Sequence, residues 1–287
     1  YRLIAVDMDG TLLNDELNVS QANMDAINKF REAGGIFTIA TGRASCGVEK
    51  YVKQIGLDNA PIKMICSIGG EIADSATLKP FKIFGMPKDV TARLVEFLTE
   101  NTRLTMVYAD DGLKIQKRTE LSDMYCKKVG IGFEEIKWLA EYVKQQDVNV
   151  SKVMAILDER KLSSVSKMIG EKFPELLCLQ STAPFLKTLR RDGEDFMPSM
   201  VECIPVGVDK GAGLKYVADY YGIPMSQVMA FGDSFNDVAM IEVAGLGIAM
   251  GNAREKVKQV ADYVTDTNNA DGVAKAIYKF CFEQEEE

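Results

Sequence analysis

No histidine occurs among the 287 residues of this chain. Its absence excludes Ser-His-Asp triads, phosphohistidine chemistry, His-ligated zinc and acid–base catalysis by imidazole. Proton transfer in any active site must then use carboxylates, lysine, tyrosine or cysteine.

The six cysteines lack the spacings of common cysteine-based sites. No two form a CxxC pair, and none has an arginine six residues later, as a cysteine-dependent phosphatase loop would. We predict that they are reduced thiols in the protein core.

Long apolar runs are also missing, since no stretch approaches the roughly 18 residues that span a bilayer, and no signal peptide is visible before the first apolar segment. The net charge of −8 and a pI near 4.9 argue against nucleic acid or an anionic membrane as the main partner. The 47% apolar content can bury one large core or two smaller ones. We therefore expect a soluble, cytoplasmic globular protein, and the sequence gives no indication of its oligomeric state.

The first apolar run ends at two carboxylates. Residues 3–6 read as a buried strand, and Asp7 and Asp9 follow within the segment DMDGT. Residues i and i+2 of a strand face the same side, and ligands of open α/β sheets bind at the carboxyl ends of strands. Asp7 and Asp9 could therefore act on one reacting group, although an Asp-Gly turn after a core strand is an alternative.

A second strand is predicted over residues 35–40, after a helix that Ser20 can cap. It ends at Thr41, Gly42 and Arg43. A hydroxyl, a glycine backbone and a cation suit a phosphate group, but a plain strand-to-helix turn explains the same residues.

The pattern changes near Met86. Helical spacing over residues 87–101 precedes two short strands around an Asp-Asp-Gly turn, and a later strand pair flanks a polar insertion at residues 190–195. Consecutive strands joined by short turns predict an antiparallel sheet. We predict that residues 86–205 form a separate domain inserted into a discontinuous core of residues 1–85 and 206–287.

The alternating strand and helix pattern returns after Pro205. Lys210 precedes a helix, and a strand ending near Phe231 leads into the segment GDSFND, which contains Asp233, Asn236 and Asp237. Lysines near helix starts are commonly solvated, and Asp233 or Asp237 can serve a helix N-terminus. A structural role of this kind is compatible with a catalytic or metal-binding role for the same residues.

The candidate residues all follow strands or precede helices of one predicted sheet. Several carboxylates without histidine or thiolate form an all-oxygen site for a hard divalent cation, and Mg²⁺ is the usual choice where a phosphate supplies further ligands.

The ordered segments DMDGT, TGR, the Lys210 loop and GDSFND resemble the haloacid dehalogenase superfamily. The segments VGVDKG and GDSFNDVAM, with a large insertion before them, look like its Cof-type sugar-phosphatase branch. The resemblance implies an α/β fold: a Rossmann-like parallel-sheet core with an inserted α+β cap domain that contains an antiparallel sheet. It also implies a phosphatase that acts on small phosphorylated metabolites, with sugar phosphates as the expected class.

The resemblance further implies roles for particular residues. Asp7 would attack phosphorus, and Asp9 would protonate the leaving alcohol and then activate water. The implied Mg²⁺ ligands are Asp7, the Asp9 backbone carbonyl and Asp233, with Asp237 close by as a direct or outer-sphere ligand. The groups implied to hold the phosphoryl oxygens are Thr41, Gly42, Lys210 and Asn236.

One segment departs from the branch pattern. Residues 67–71 read SIGGE, where the branch usually has Asn-Gly-Ala, and this difference weakens any transfer of substrate preference from relatives. A phosphotransferase or mutase with the same intermediate stays open, as does a catalytically idle binding protein. A dehalogenase or phosphonatase is less favoured, because Asp9 offers the proton donor that ester cleavage needs.

Overall fold

The computed structural model describes residues 1–182 and 196–283. Its strands in chain order are β1 (Leu3–Val6), β2 (Ile36–Ile39), β3 (Lys63–Cys66), β4 (Glu71–Asp74), β5 (Pro80–Ile83), β6 (Leu104–Ala109), β7 (Gly112–Ile115), β8 (Glu134–Glu135), β9 (Val150–Asp158), β10 (Leu176–Thr182), β11 (Pro198–Pro205), β12 (Val228–Gly232), β13 (Leu246–Ala249) and β14 (Tyr263–Val264). Its helices are α1 (Gln21–Glu32), α2 (Glu49–Gln54), α3 (Lys88–Asn101), α4 (Glu120–Val129), α5 (Leu139–Gln145), α6 (Glu159–Lys172), α7 (Lys210–Tyr220), α8 (Val238–Val243), α9 (Glu255–Val260) and α10 (Gly272–Cys281).

The chain divides into two units. The core unit comprises Tyr1–Lys82 and Val208–Glu287, and the inserted unit comprises Ile83–Gly207. The assignment of the first as a catalytic domain and the second as a specificity cap stays a prediction.

The main sheet of the core unit is parallel throughout, with the order β14-β13-β12-β1-β2. Parallel sheets are covered on both faces, so their strands are continuously apolar, and every residue of β1, β12 and β13 is buried. Because β1 lies between β12 and β2, the residues that follow these three strands emerge side by side at one edge of the sheet.

Helix α1 begins at a sequence-encoded cap. The hydroxyl of Ser20 accepts the backbone N–H of Asn23 at 3.2 Å. The side chain of Asn23 is buried, and its Oδ1 accepts the backbone N–H of Ala274 in α10 at 2.9 Å. The first backbone N–H groups of a helix have no acceptor within that helix. Asn23 of α1 supplies such an acceptor for the start of α10.

We expect Asn23→Ala to lower the free energy of unfolding by about 1–3 kcal/mol, because it leaves the Ala274 N–H buried without an acceptor. Urea denaturation measures this, and Asn28→Ala is the matched control because Asn28 is exposed on the same helix. Equal stabilities of the two variants would show that the hydrogen bond from Ala274 to Asn23 contributes nothing to stability.

The sheet of the inserted unit has the order β10-β11-β9-β6-β7-β8. Its pairs are antiparallel except β7 with β8, which is parallel. One face packs on helices around a hydrophobic cluster that includes Leu94, Val107, Ala155, Ile169 and Val201. The predicted α/β class, with a parallel core sheet and an inserted antiparallel sheet, is confirmed, while the predicted polar insertion at 190–195 lies outside the described residues.

None of the helices in the described part of the chain is both long and apolar enough to cross a bilayer. All six cysteines are free thiols, and Cys66, Cys126 and Cys203 are buried as predicted. The prediction of a core position is wrong for Cys46, which is exposed. Cys46 lies in a short 3₁₀ turn between β2 and α2, where the chain has left the sheet.

Candidate active site

Three neighbouring strands deliver the first group of site residues. Asp7 follows β1, Thr41 lies two residues beyond β2, and Asp233 follows β12. The backbone N–H of Asp7 donates to the carbonyl of Phe231 at 3.0 Å, which continues the parallel ladder past the end of β1. The topology thus brings these side chains to the same edge of the sheet.

Lys210 contacts two acids of the site. It is the first residue of α7, and its side chain is fully buried. Its Nζ donates to Oδ1 of Asp7 at 2.5 Å and to Oδ1 of Asp237 at 2.6 Å. Burial alone would lower the pKa of Lys210, but Asp237 and Asp7 outweigh it and hold that pKa above its usual value.

The acids around Lys210 outnumber it. Burial raises the pKa of Asp7 well above its usual value, and the nearby Asp237 adds to this while Lys210 opposes it. Burial, together with Asp237, raises the pKa of Asp233 to about 6. A site in which one ammonium faces several buried carboxylates favours a further cation.

The carboxylates also have the spacing that a cation requires. One oxygen from each of Asp7, Asp233 and Asp237 lies within 4.8 Å of the others. Opposite ligands of an octahedral Mg²⁺ are about 4.2 Å apart, given bonds of about 2.1 Å, so small side-chain movements suffice. The donor set is all oxygen, and the residues fit a hard divalent ion.

Two glycines allow this packing. Gly10 has a φ of +84°, and a Cβ there would lie 2.7 Å from Oδ2 of Asp233. A Cβ at Gly232 would lie 2.3 Å from the Cβ of Asp237. The turn from Gly232 to Asp237 can therefore fold back on itself, and Oδ2 of Asp237 accepts the backbone N–H groups of Asp233 at 3.1 Å and Ser234 at 2.9 Å.

Asp237 thus has two structural functions. It orients Lys210 through one oxygen and holds the loop that carries Asp233 through the other. The alternative role at a helix N-terminus is compatible, because Asp237 lies directly before α8.

The predicted phosphate-binding groups lie together beside this cluster. Thr41 is buried, and its Oγ1 accepts the Arg43 backbone N–H at 3.1 Å. Asn236 accepts the Ser234 hydroxyl at 3.1 Å through Oδ1, and its Nδ2 faces Gly42, at 3.9 Å from where a Cβ would be. An amide donor, a hydroxyl and a glycine backbone are suited to phosphoryl oxygens.

Asp9 does not join the carboxylate cluster. Strand β1 ends at Val6, so the alternation of side chains along a strand does not extend to Asp9. Its side chain is about half exposed and forms an ion pair with Arg43 at 2.6 Å. The TGR segment suggested a phosphate contact for the Arg43 cation, whereas the structure pairs that cation with Asp9.

The segment that departs from the branch pattern packs against the loop of Thr41 and Gly42, which is predicted to bind phosphate. Ile68 donates its N–H to the Thr41 carbonyl at 3.1 Å, and its Cγ1 lies 3.6 Å from where a Cβ of Gly42 would be. Ile68 has a φ of +59° and is 3% exposed. A β-branched residue in this region carries strain of about 1–3 kcal/mol, and such strain is common beside functional sites.

Comparisons with known proteins identify the family of this chain. Residues 4–277 match the sequence profile of the haloacid dehalogenase-like hydrolases. A 5-amino-6-(5-phospho-D-ribitylamino)uracil phosphatase of Bacillus subtilis (strain 168) is 33% identical over 281 residues, covering 96% of this chain and 94% of the relative. A pyridoxal phosphate phosphatase of Escherichia coli (strain K12) is 28% identical over 278 residues, covering 96% of this chain and 97% of the relative.

A solved structure also resembles the whole chain. The crystal structure of a haloacid dehalogenase-like hydrolase from Bacteroides thetaiotaomicron superposes with a TM-score of 0.80 at 26% identity, covering 97% of this chain and 99% of the other. The family match covers residues 4–277, and this range contains all of the ordered motifs. The chain therefore belongs to the haloacid dehalogenase-like hydrolases, and it is a phosphoric monoester hydrolase of their Cof-type branch.

Proposed function

We propose that this protein hydrolyses small phosphorylated metabolites, with sugar phosphates as the leading class, through a phosphoryl group carried on Asp7. The observation that carries the proposal is the buried Lys210 ammonium, which fixes Asp7 at the edge where Asp233 also lies. The two relatives described above are named for 5-amino-6-(5-phospho-D-ribitylamino)uracil and for pyridoxal phosphate, which supports a metabolite-sized substrate.

Asp7 is held in a geometry suited to nucleophilic attack. Lys210 binds Oδ1, so Oδ2 is the oxygen that we assign to attack on phosphorus. As the Asp7–phosphorus bond forms, the bond from phosphorus to the leaving oxygen breaks, and Asp9 gives that oxygen a proton. Asp9 then takes a proton from water, which attacks phosphorus and releases inorganic phosphate and the free Asp7.

Positive charge and donors around the phosphoryl group lower the barrier. Lys210 contributes a fixed cation, and Thr41, the Gly42 backbone N–H and the Asn236 amide would donate to the phosphoryl oxygens. A Mg²⁺ ion would be held by Asp7, Asp233 and the Asp9 carbonyl oxygen, with Asp237 close by, and would supply further positive charge against the substrate.

We expect Asp233→Asn to weaken Mg²⁺ binding by at least about tenfold, because it removes a charged ligand from an all-oxygen site. Isothermal titration with MgCl₂ measures the affinity directly, and phosphate release with and without chelator gives the functional readout. Asp219→Asn is the matched control, since Asp219 is exposed on α7. Unchanged Mg²⁺ affinity in Asp233→Asn would exclude this residue as a ligand.

A panel of phosphorylated sugars, nucleotides and cofactors distinguishes hydrolysis from the two alternatives. Release of inorganic phosphate that chelator abolishes supports the phosphatase. Transfer of the phosphoryl group to a second hydroxyl without phosphate release would identify a phosphotransferase or mutase. Mg²⁺ binding with neither outcome would identify a binding protein.

A further inference from the structure

Arg43 holds the Asp9 carboxylate with both arms of its guanidinium group. Nη2 donates to Oδ1 of Asp9 at 2.6 Å, and Nε donates to Oδ2 at 2.9 Å. A bidentate contact between guanidinium and carboxylate fixes the orientation of the acid as well as its position. Among the described residues, no other side chain forms an ion pair with Asp9.

Arg43 is itself held in place from several sides. Its N–H donates to Oγ1 of Thr41 at 3.1 Å, and its carbonyl accepts the N–H of Ser67 at 2.8 Å. Its guanidinium carbon lies 5.1 Å from the ring centroid of Tyr51 on α2, within the range of a cation–π contact. The Arg43 side chain is 21% exposed while that of Asp9 is 49% exposed, so the arginine is the more fixed member of the pair.

We propose that Arg43 is a positioning residue that acts through Asp9, setting where the carboxyl group meets the leaving oxygen of the substrate. The inference rests on the proposed function, in which Asp9 transfers the proton. It separates Arg43 from Thr41 and Gly42, which precede it in the same loop and are assigned to the phosphoryl group. Arg43 therefore serves the leaving-group side of the reaction.

The effect of Arg43 must then depend on the leaving group. An alkoxide leaves only with a proton, whereas a nitrophenolate leaves readily without one. General-acid catalysis contributes about 10²–10⁴-fold where it is needed. We expect Arg43→Met to lower kcat/KM for an alkyl phosphate of the panel by about 10–10²-fold and for a nitrophenyl phosphate by less than about threefold.

A double-mutant cycle tests whether Arg43 acts through Asp9. Adding Arg43→Met to Asp9→Asn is expected to change alkyl phosphate turnover by less than about threefold, because the group that Arg43 positions is already lost. Arg43→Lys should fall between the parent and Arg43→Met, because an ammonium cannot make the bidentate contact. Arg2→Met, at an exposed arginine before β1, is the control and should match the parent.

Equal losses for the alkyl and the nitrophenyl substrate would overturn the inference and make Arg43 a phosphate-binding residue. Losses that multiply in the double variant would also overturn it. Failure of the proposed function would look different, because the parent would release no phosphate or Asp7→Asn would release it normally. Thermal unfolding of each variant identifies any loss that comes from misfolding.

Discussion

Asp7→Asn is expected to reduce phosphate release by at least about 10⁴-fold, because an amide cannot form the bond to phosphorus that the mechanism requires. The rate is measured with a generic aryl phosphate and with the best metabolite of the panel. Asp25→Asn, at an exposed carboxylate on α1, is the matched control and should retain full activity. Hydrolysis by Asp7→Asn as fast as by the parent would show that the nucleophile is another group.

The same variant is expected to remain folded. Asp7 is one of three carboxylates near the single ammonium of Lys210, and Asp237 keeps its own contact with that ammonium when Asp7 becomes neutral. The loss of one contact is offset by relief of repulsion between acids, so the free energy of unfolding should change by no more than about 1 kcal/mol. Loss of activity with this stability separates a chemical role from a structural one.

Lys210→Met is expected to give the largest loss of stability among the variants proposed here. It removes the shared partner of Asp7 and Asp237, which are both buried. Breaking a buried ion pair by removing one member costs about 3–5 kcal/mol, and the loss of a fixed donor at the reacting group lowers kcat by about 10²–10³-fold. Urea denaturation and phosphate release measure the two effects.

Lys215→Met is the matched control, because Lys215 lies on the same helix with its side chain exposed. A surface change of this kind should alter stability by less than about 0.5 kcal/mol. Mg²⁺ should stabilise Lys210→Met more than it stabilises the parent, since a bound cation would offset the acids that have lost their partner. Equal stability of the two lysine variants would contradict the role of Lys210 as the partner of both acids.

Much of the core could be predicted because its signals are local. Each of β1, β2 and β12 is a short apolar run that stops at polar residues, and alternation with helices predicts a parallel sheet. The positions of Asp7, Thr41 and Asp233 at one edge then follow from the topology.

Other features depend on contacts between distant residues, which no local pattern contains. Lys210 has the sequence context of a solvated helix start, yet packing of α7 buries it completely against Asp7, which is 203 positions away. The spacing of two residues suggested that the side chains of Asp7 and Asp9 point to one reacting group. Strand β1 ends before both residues, so its alternation does not apply to them. The Asp9 side chain instead forms an ion pair with Arg43.

Ile68 shows a further limit. Its left-handed backbone conformation conflicts with its β-branched side chain, so residue preferences point away from the conformation that the fold imposes. The structure explains its burial through contact with the loop at Gly42. In the sequence, the departure from the branch pattern marks this segment, whereas residue propensities do not.

Rapid quenching of the first turnover, followed by mass spectrometry of the peptide that contains Asp7, tests the proposed chemistry most directly. The parent and Asp9→Asn are mixed with a nitrophenyl phosphate and Mg²⁺ and quenched in acid. We expect a phosphoryl group on Asp7, with a larger fraction in Asp9→Asn because water is no longer activated. Phosphate release with no phosphoryl group on this peptide, or with one on another residue, would contradict the mechanism.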